Sequence, residues 1–200
     1  SYWSSSTINV NPFSLEGTSA FSDFELATIQ RAWEVVAEDY RPFGLDVTTE
    51  LPNIEKLRKT STADTEWGLR VMIGDPIEYS ANATGRAQDN SFNANYDAVC
   101  WVDLSDPAWG NSSNKSARTI GGLISHEAGH TMNLHHDGTG VANDASYYDG
   151  QGTQEARWAP IMGNVFGSWI TGWSKGDYPN ANQQQDDLTV LTTTNGFTYR

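Results

Sequence analysis

All 4 histidines of this 200-residue chain lie between positions 126 and 136. His126 and His130 are four residues apart, so on a helix they share one face about one turn apart. Two imidazoles placed this way can bind one metal ion, and Glu127 lies beside the first of them. A zinc ion lowers the pKa of a bound water to about 7, and a nearby carboxylate can accept its proton. The spacing H-E-x-x-H therefore predicts a metal-assisted hydrolytic centre, with His126 and His130 as ligands and Glu127 as the base.

A catalytic zinc usually keeps three protein ligands and one open position, so a third ligand is expected. His136 follows His130 by six residues, and a helix that continued straight would carry it away from the metal. Asn133 lies between them, and asparagine is one of the few non-glycine residues that adopt the left-handed conformation readily. The chain is therefore expected to bend at Asn133. Residue types alone leave His135 as an alternative to His136.

A simpler interpretation is that these are ordinary core histidines and that Glu127 is a helix-surface acid. The confinement of every histidine to one short segment argues against it. The segment also lies in a partly apolar stretch that predicts a helix, which is the context the motif requires.

The stretch from His126 to Asp137 resembles the elongated zinc motif H-E-x-x-H-x-x-G-x-x-H of the metzincin clan of zinc endopeptidases. Its ending with Asp137 resembles that of reprolysin-like (adamalysin-type) secreted members, and Asn133 stands where most members have glycine. The clan's spacing implies that His136, rather than His135, is the third ligand. Asp137 is expected to be a structural hydrogen-bonding residue.

Members of this clan also have a methionine turn beneath the metal. The segment Ala159-Pro160-Ile161-Met162-Gly163 matches it, so the resemblance implies that Met162 packs under the three imidazoles as a soft apolar side chain. Gly163 and Asn164 follow the methionine directly, so no tyrosine is expected there as an additional zinc ligand or oxyanion donor.

Apolar spacing and turn residues predict the elements that would position this centre. Ser22 and Glu25 form a capping box at the start of a helix that Pro42 ends. A second helix is predicted over 116–133 and a last one over 183–191. Strands are predicted over 6–11, 45–51, 69–73 and 97–104.

This order of elements predicts an α/β (α+β) class and a single catalytic domain over 1–200. The resemblance implies a metzincin-like arrangement, with an upper lobe over about 1–136 that holds a twisted mixed sheet and two long helices. A small irregular lower lobe with a C-terminal helix would cover about 137–200, with the active-site cleft between the lobes. Residues 85–92 are expected to rim the cleft and pair with extended substrate. Residues 164–169 are expected to wall the neighbouring pocket, or to be a plain connecting loop.

Charge and composition limit the partners. With 25 acidic and 12 basic side chains the net charge is −13, which repels phosphate backbones and anionic membranes. Neither nucleic acid nor membrane is expected as a partner, and no apolar run approaches the roughly 18 residues of a spanning helix. Cys100 is the single cysteine and predicts a buried, unreactive thiol. The Asn and Asp residues over 143–149 leave room for a structural Ca²⁺ beside the catalytic Zn²⁺, without EF-hand spacing.

The resemblance implies a zinc-dependent endopeptidase that hydrolyses peptide bonds of extended protein substrates through a zinc-bound water activated by Glu127. It further implies a secreted, monomeric enzyme made as a zymogen, whose signal and inhibitory propeptide are absent from this chain. Two alternatives are a metal-dependent hydrolase of non-peptide amides and an inactive module that binds zinc and a protein or glycan partner. Glu127 argues against the inactive module, because binding alone needs no base.

Overall fold

A computed structural model describes residues 8–74, 83–110, 115–140, 147–153 and 156–200. These parts form a mixed α+β structure, in agreement with the predicted class. The helices are α1 (Asp23–Tyr40), α2 (Ala117–Thr131) and the single-turn α3 (Asp187–Thr189), which continues into a π-helical turn over Val190–Thr194.

Within the described ranges, five short strands form two small sheets. The first has the order β1-β3-β2, with β1 (Arg70–Gly74) parallel to β3 (Val99–Asp103) and β2 (Gly85–Arg86) antiparallel to it. The second pairs β4 (Trp158–Pro160) with β5 (Ile170–Gly172) in parallel. The mixed sheet and the strands expected near 69–73 and 97–104 are thus confirmed. Cys100 lies on the central strand β3 and is fully buried, as predicted.

Helix α1 begins and ends where the sequence predicts. The Ser22 hydroxyl accepts from the Glu25 amide at 3.2 Å, and the Glu25 carboxylate accepts from the Ser22 amide at 3.1 Å. Val36 and Tyr40 of this helix are buried, whereas Leu26 is half exposed. Glu25 is buried as well, and its carboxylate also accepts from the amide of Leu15 at 2.6 Å.

Helix α2 packs closely against α1 and is buried over most of its length. A Cβ on Gly121 would lie 2.8 Å from the carbonyl oxygen of Ala32, so only glycine permits this close approach. Two hydrogen bonds reinforce it next to His126. The Tyr40 hydroxyl donates to the Ser125 carbonyl at 2.8 Å, and the Ser125 hydroxyl donates to the Asp39 carboxylate at 2.7 Å. The helix carrying the H-E-x-x-H residues is therefore fixed in the core.

The predictions of two strands were not met as stated. Residues 45–51 form no strand with any described segment; the carbonyl of Val47 accepts from the Trp33 indole at 2.7 Å, so this segment contacts α1. Of the segment 6–11, residues 6 and 7 lie outside the described residues. In its described part only Val10 takes part in a single β-bridge.

The last helix begins at Asp187 and not at Gln183 as predicted. The side chains of Gln183 and Gln185 make hydrogen bonds to residues 133–137 instead. Those bonds hold the chain extended up to Asp186, whose side chain caps α3 by accepting from the Thr189 amide at 3.1 Å. None of the helices in the described ranges is long and apolar enough to span a bilayer.

Candidate metal centre

Three histidine side chains converge at the C-terminal end of α2. His126 and His130 lie one turn apart on α2, which ends at Thr131. Asn133 has φ +70°, so the left-handed bend predicted there is confirmed. The bend returns the chain to the helix end, where the Nε2 atom of His130 lies 3.2 Å from Nε2 of His126 and 2.8 Å from Nε2 of His136.

Backbone carbonyls fix the tautomers of two of these imidazoles. Nδ1 of His126 lies 2.8 Å from the carbonyl oxygen of Ile161, and Nδ1 of His130 lies 2.9 Å from that of Leu134. A carbonyl oxygen can only accept, so each Nδ1 carries the proton and each neutral ring presents a bare Nε2 lone pair. The short Nε2–Nε2 distance between these two rings is therefore no hydrogen bond. Two lone pairs face each other, and a cation between them would relieve the repulsion.

Burial keeps the imidazoles neutral. The pKa of His126 is well below its ordinary value because the ring is desolvated, with further depression from His130 and His136. The pKa of His130 is also lowered, chiefly by burial. Burial, followed by the neighbouring His130 and His135, lowers the pKa of His136 to about 4. Metal ligation requires neutral histidine, so the three side chains form a group that could bind a metal ion.

His135 lies outside this group. The ligand atoms of His126, His130 and His136 lie within 4.8 Å of one another, and His135 is not among them. Its exposed side chain borders the cavity, while its backbone amide donates to the Gln185 side chain at 2.8 Å. Between the two candidates for the third ligand, the structure brings His136 to the other imidazoles.

The predicted methionine turn lies against α2. The Ile161 carbonyl accepts the hydrogen bond from Nδ1 of His126. The Met162 carbonyl accepts from the Asp137 amide at 2.8 Å. Met162 is fully buried, and a Cβ on Gly129 would lie 2.6 Å from its sulfur. The turn therefore fixes both His126 and Asp137 through its carbonyl groups. Because Gly129 has no side chain, the Met162 sulfur can pack directly against α2.

Asp137 has the structural surroundings expected of it. The residue is fully buried, and one carboxylate oxygen accepts from the Tyr178 hydroxyl and from the Gln183 amide, both at 3.1 Å. Burial raises the pKa of Asp137 to about 6, and these two hydrogen bonds oppose the rise. The carboxylate thereby links the segment after His136 to the C-terminal part of the chain.

A cavity of about 360 Å³ opens over the histidines and is lined by Glu127. The Glu127 carboxylate packs on the backbone of β2, where a Cβ on Gly85 would overlap it. Burial, helped by the Asp89 carboxylate and opposed by Arg86, raises the pKa of Glu127 to about 8. The Glu127 carboxylate thus lines the same cavity as His130 and His136.

Two segments were expected to flank this cavity. Part of the predicted rim over 85–92 does line it, namely Gly85, Arg86, Ala87 and Asp89. The segment 164–169 packs elsewhere: a Cβ on Gly122 of α2 would lie 3.3 Å from Val165, and the Arg118 guanidinium lies 4.7 Å from the centre of the Trp169 ring. None of its residues is among those that line the cavity within the described chain.

Sequence reasoning missed two residues of the site. Tyr147 lines the cavity, and its hydroxyl lies 3.4 Å from Nε2 of His136. Gln185 clamps the bend: its side-chain amide donates to the Asn133 carbonyl at 2.9 Å and accepts from the His135 amide at 2.8 Å. Neither residue belongs to a sequence motif with the histidines. Each comes close to them only when the chain is folded.

We expect Gln185→Ala to lower metal affinity by about 10- to 100-fold, the range typical for loss of an outer-shell partner. The variant frees both backbone groups of the bend that carries His136, so the third ligand loses its fixed position. A competition titration with a chromophoric chelator measures the affinity. The neighbouring Gln184→Ala is the matched control, since Gln184 is exposed. Equal affinity of Gln185→Ala and wild type would refute the clamp.

The residues expected to favour Ca²⁺ fall mostly outside the described parts, which omit 141–146. Within the described residues of that stretch, the Asp149 carboxylate accepts from the Asn164 side-chain amide at 2.7 Å. This contact gives Asp149 a structural partner.

No family model matches the chain, and the search of curated proteins finds no match. The chain's own residues define the site: three neutral imidazoles that could bind a metal ion, with the buried Glu127 carboxylate beside them.

Proposed function

We propose that this chain is a zinc-dependent endopeptidase of the metzincin type that hydrolyses peptide bonds in extended protein substrates. One observation carries the proposal, namely the convergence of three imidazole Nε2 atoms beside a cavity that Glu127, His130 and His136 line. A metal-binding module without hydrolytic activity would have no use for a buried acid at that position.

The donor set supports zinc as the metal. Imidazole nitrogens bind zinc at about 2.0–2.1 Å, and tetrahedral geometry then places the ligand nitrogens about 3.3 Å apart. The Nε2 atom of His130 lies 3.2 Å and 2.8 Å from those of its two partners. Three nitrogen ligands are also the number that catalytic zinc sites such as His₃ centres use.

When bound, zinc would supply a Lewis acid that polarises the scissile carbonyl and acidifies a water molecule. The residues of the chain do the rest. A carboxylate oxygen of Glu127 takes the proton of the attacking water and passes it to the leaving amine nitrogen. The carbonyls of Ile161 and Leu134 keep the Nδ1 atoms of their histidines protonated, so both Nε2 atoms stay free as ligands.

The edge of the sheet supports a peptide as the substrate. In the three-stranded sheet that the structure describes, β2 is the last strand in the order β1-β3-β2, and it borders the cavity. An extended peptide can add to such an edge through backbone hydrogen bonds. Because Gly85 has no side chain, the backbone of β2 lies close to the Glu127 carboxylate at this edge.

The resemblance of residues 126–137 and of the turn at Met162 to the metzincin clan extends the proposal. It includes a two-lobed metzincin fold and a monomeric, secreted enzyme. It also includes a precursor inhibited by a propeptide.

Hydrolysis of an unfolded protein tests this function. We expect the zinc-loaded chain to cleave reduced casein, to lose this activity with a zinc chelator and to regain it when zinc is restored. A panel of small non-peptide amides, assayed in parallel, separates the two hydrolase interpretations. Turnover of those amides without cleavage of casein would favour a non-peptide amidase. A zinc-loaded chain that cleaves neither would favour a binding module.

A further inference from the structure

Tyr147 stands over the third histidine of the site. Its ring centre lies 4.6 Å from that of His136 and 6.0 Å from that of His126, and its hydroxyl lies 3.4 Å from Nε2 of His136. The hydroxyl is thus beside the ligand atoms, where a reacting group would lie. About two-fifths of the residue is exposed, which leaves the phenol accessible from the cavity that it lines.

Tyr147 and Glu127 occupy different walls of this cavity. Glu127 packs on the backbone of β2 at Gly85, whereas Tyr147 packs on the ring of His136. A carbonyl group held between them would therefore have a proton acceptor near one wall and a hydrogen-bond donor near the other. Glu127 supplies the acceptor, and the Tyr147 hydroxyl, beside Nε2 of His136, supplies the donor.

We propose that Tyr147 donates its phenolic hydrogen to the oxyanion that develops on the scissile carbonyl of a peptide substrate. This inference rests on the proposed function and assigns a further catalytic residue to it. The donor comes from the segment before the methionine turn, since the positions directly after Met162 are Gly163 and Asn164.

The Tyr147 phenol forms no covalent bond with the substrate during the reaction. Water adds its oxygen to the carbonyl carbon, its proton moves to Glu127, and the carbonyl π electrons move to oxygen. Tyr147 hydrogen-bonds to that oxygen and keeps its own proton. When the carbon–nitrogen bond breaks, the electron pair leaves with nitrogen, Glu127 returns the proton to it, and the carbonyl re-forms. Donors aimed at developing charge stabilise the transition state more than the ground state.

Tyr147→Phe tests the assignment, since it deletes only the hydroxyl. We expect kcat to fall by about 100- to 1,000-fold, the usual effect of removing one oxyanion donor, while KM stays within about twofold. Zinc content should equal that of wild type. Affinity for a phosphinic peptide, whose tetrahedral anion imitates the transition state, should fall by about 10-fold or more. Calorimetry measures this affinity without turnover.

The neighbouring Tyr148→Phe is the matched control. Tyr148 stacks on Tyr178 at a centre distance of 4.0 Å and is not part of the cavity lining, so both kcat and phosphinate affinity should be unchanged. Wild-type kcat and phosphinate affinity in zinc-loaded Tyr147→Phe would overturn the assignment. Loss of zinc from this variant would also overturn it, by showing a role in the metal site instead. If wild type neither cleaves peptides nor binds the phosphinate, the proposed function itself fails.

Discussion

Replacing His136 by alanine is expected to abolish tight zinc binding, whereas replacing the adjacent His135 should leave it unchanged. His136 Nε2 lies 2.8 Å from that of His130, so its removal deletes one of three first-sphere nitrogens. His135 is exposed and lies outside the group of three. We expect the loss for His136→Ala to exceed about 100-fold in affinity, the upper end of what losing an outer-shell partner alone causes.

Competition between each variant and a chromophoric chelator measures this difference directly. The pair is closely matched, because the two residues are neighbours of the same type on the same bend. A comparable loss in both variants would indicate a general disturbance of the bend. Loss in His135→Ala alone would show that the third ligand is His135 and would contradict the arrangement described above.

Replacing Glu127 by glutamine is expected to reduce peptide turnover by about 100- to 10,000-fold while zinc content is retained, since general acid–base catalysis contributes that much. The amide has nearly the shape of the carboxylate, so the contact with the backbone of Gly85 is preserved. It cannot accept a proton from water at neutral pH. Steady-state kinetics on a quenched fluorescent peptide, with zinc measured by atomic absorption, separates turnover from metal loss.

Asp89→Asn is the control for a purely electrostatic effect. Asp89 borders the same cavity and adds negative charge near Glu127, but it is mostly exposed. We expect turnover by this variant to stay within about tenfold of wild type, as befits a screened surface charge. An equal loss of activity in Glu127→Gln and Asp89→Asn would mean that cavity charge, and not proton transfer, explains the result.

The parts of the site that could be predicted from sequence are those that local geometry determines. The four-residue spacing of His126 and His130 fixes their common helix face, and the left-handed preference of asparagine explains the bend at Asn133. The capping box at Ser22 likewise depends on residues three positions apart. In each case the interacting groups are so close in the chain that no knowledge of the fold is needed.

The parts that could not be predicted depend on contacts between distant segments. Gln185 reaches the bend from a position 52 residues after Asn133, and no propensity scale associates a glutamine with such a contact. Because the Gln185 side chain makes these hydrogen bonds, the last helix begins only at Asp187. Tertiary contacts therefore override the local helical pattern before it. The segment over 45–51 alternates like a strand, yet it has α1 as a neighbour instead of another strand.

The most direct test of the central claim is mass-spectrometric mapping of new termini in reduced casein after incubation with the zinc-loaded chain and, separately, with zinc-loaded Glu127→Ala. Zinc content is measured for both samples before the incubation. We predict new internal termini with the wild type and none with the variant, although both carry zinc. Internal cleavage by both proteins to the same extent, or by neither, would contradict the conclusion that Glu127 and the three-histidine centre hydrolyse peptide bonds.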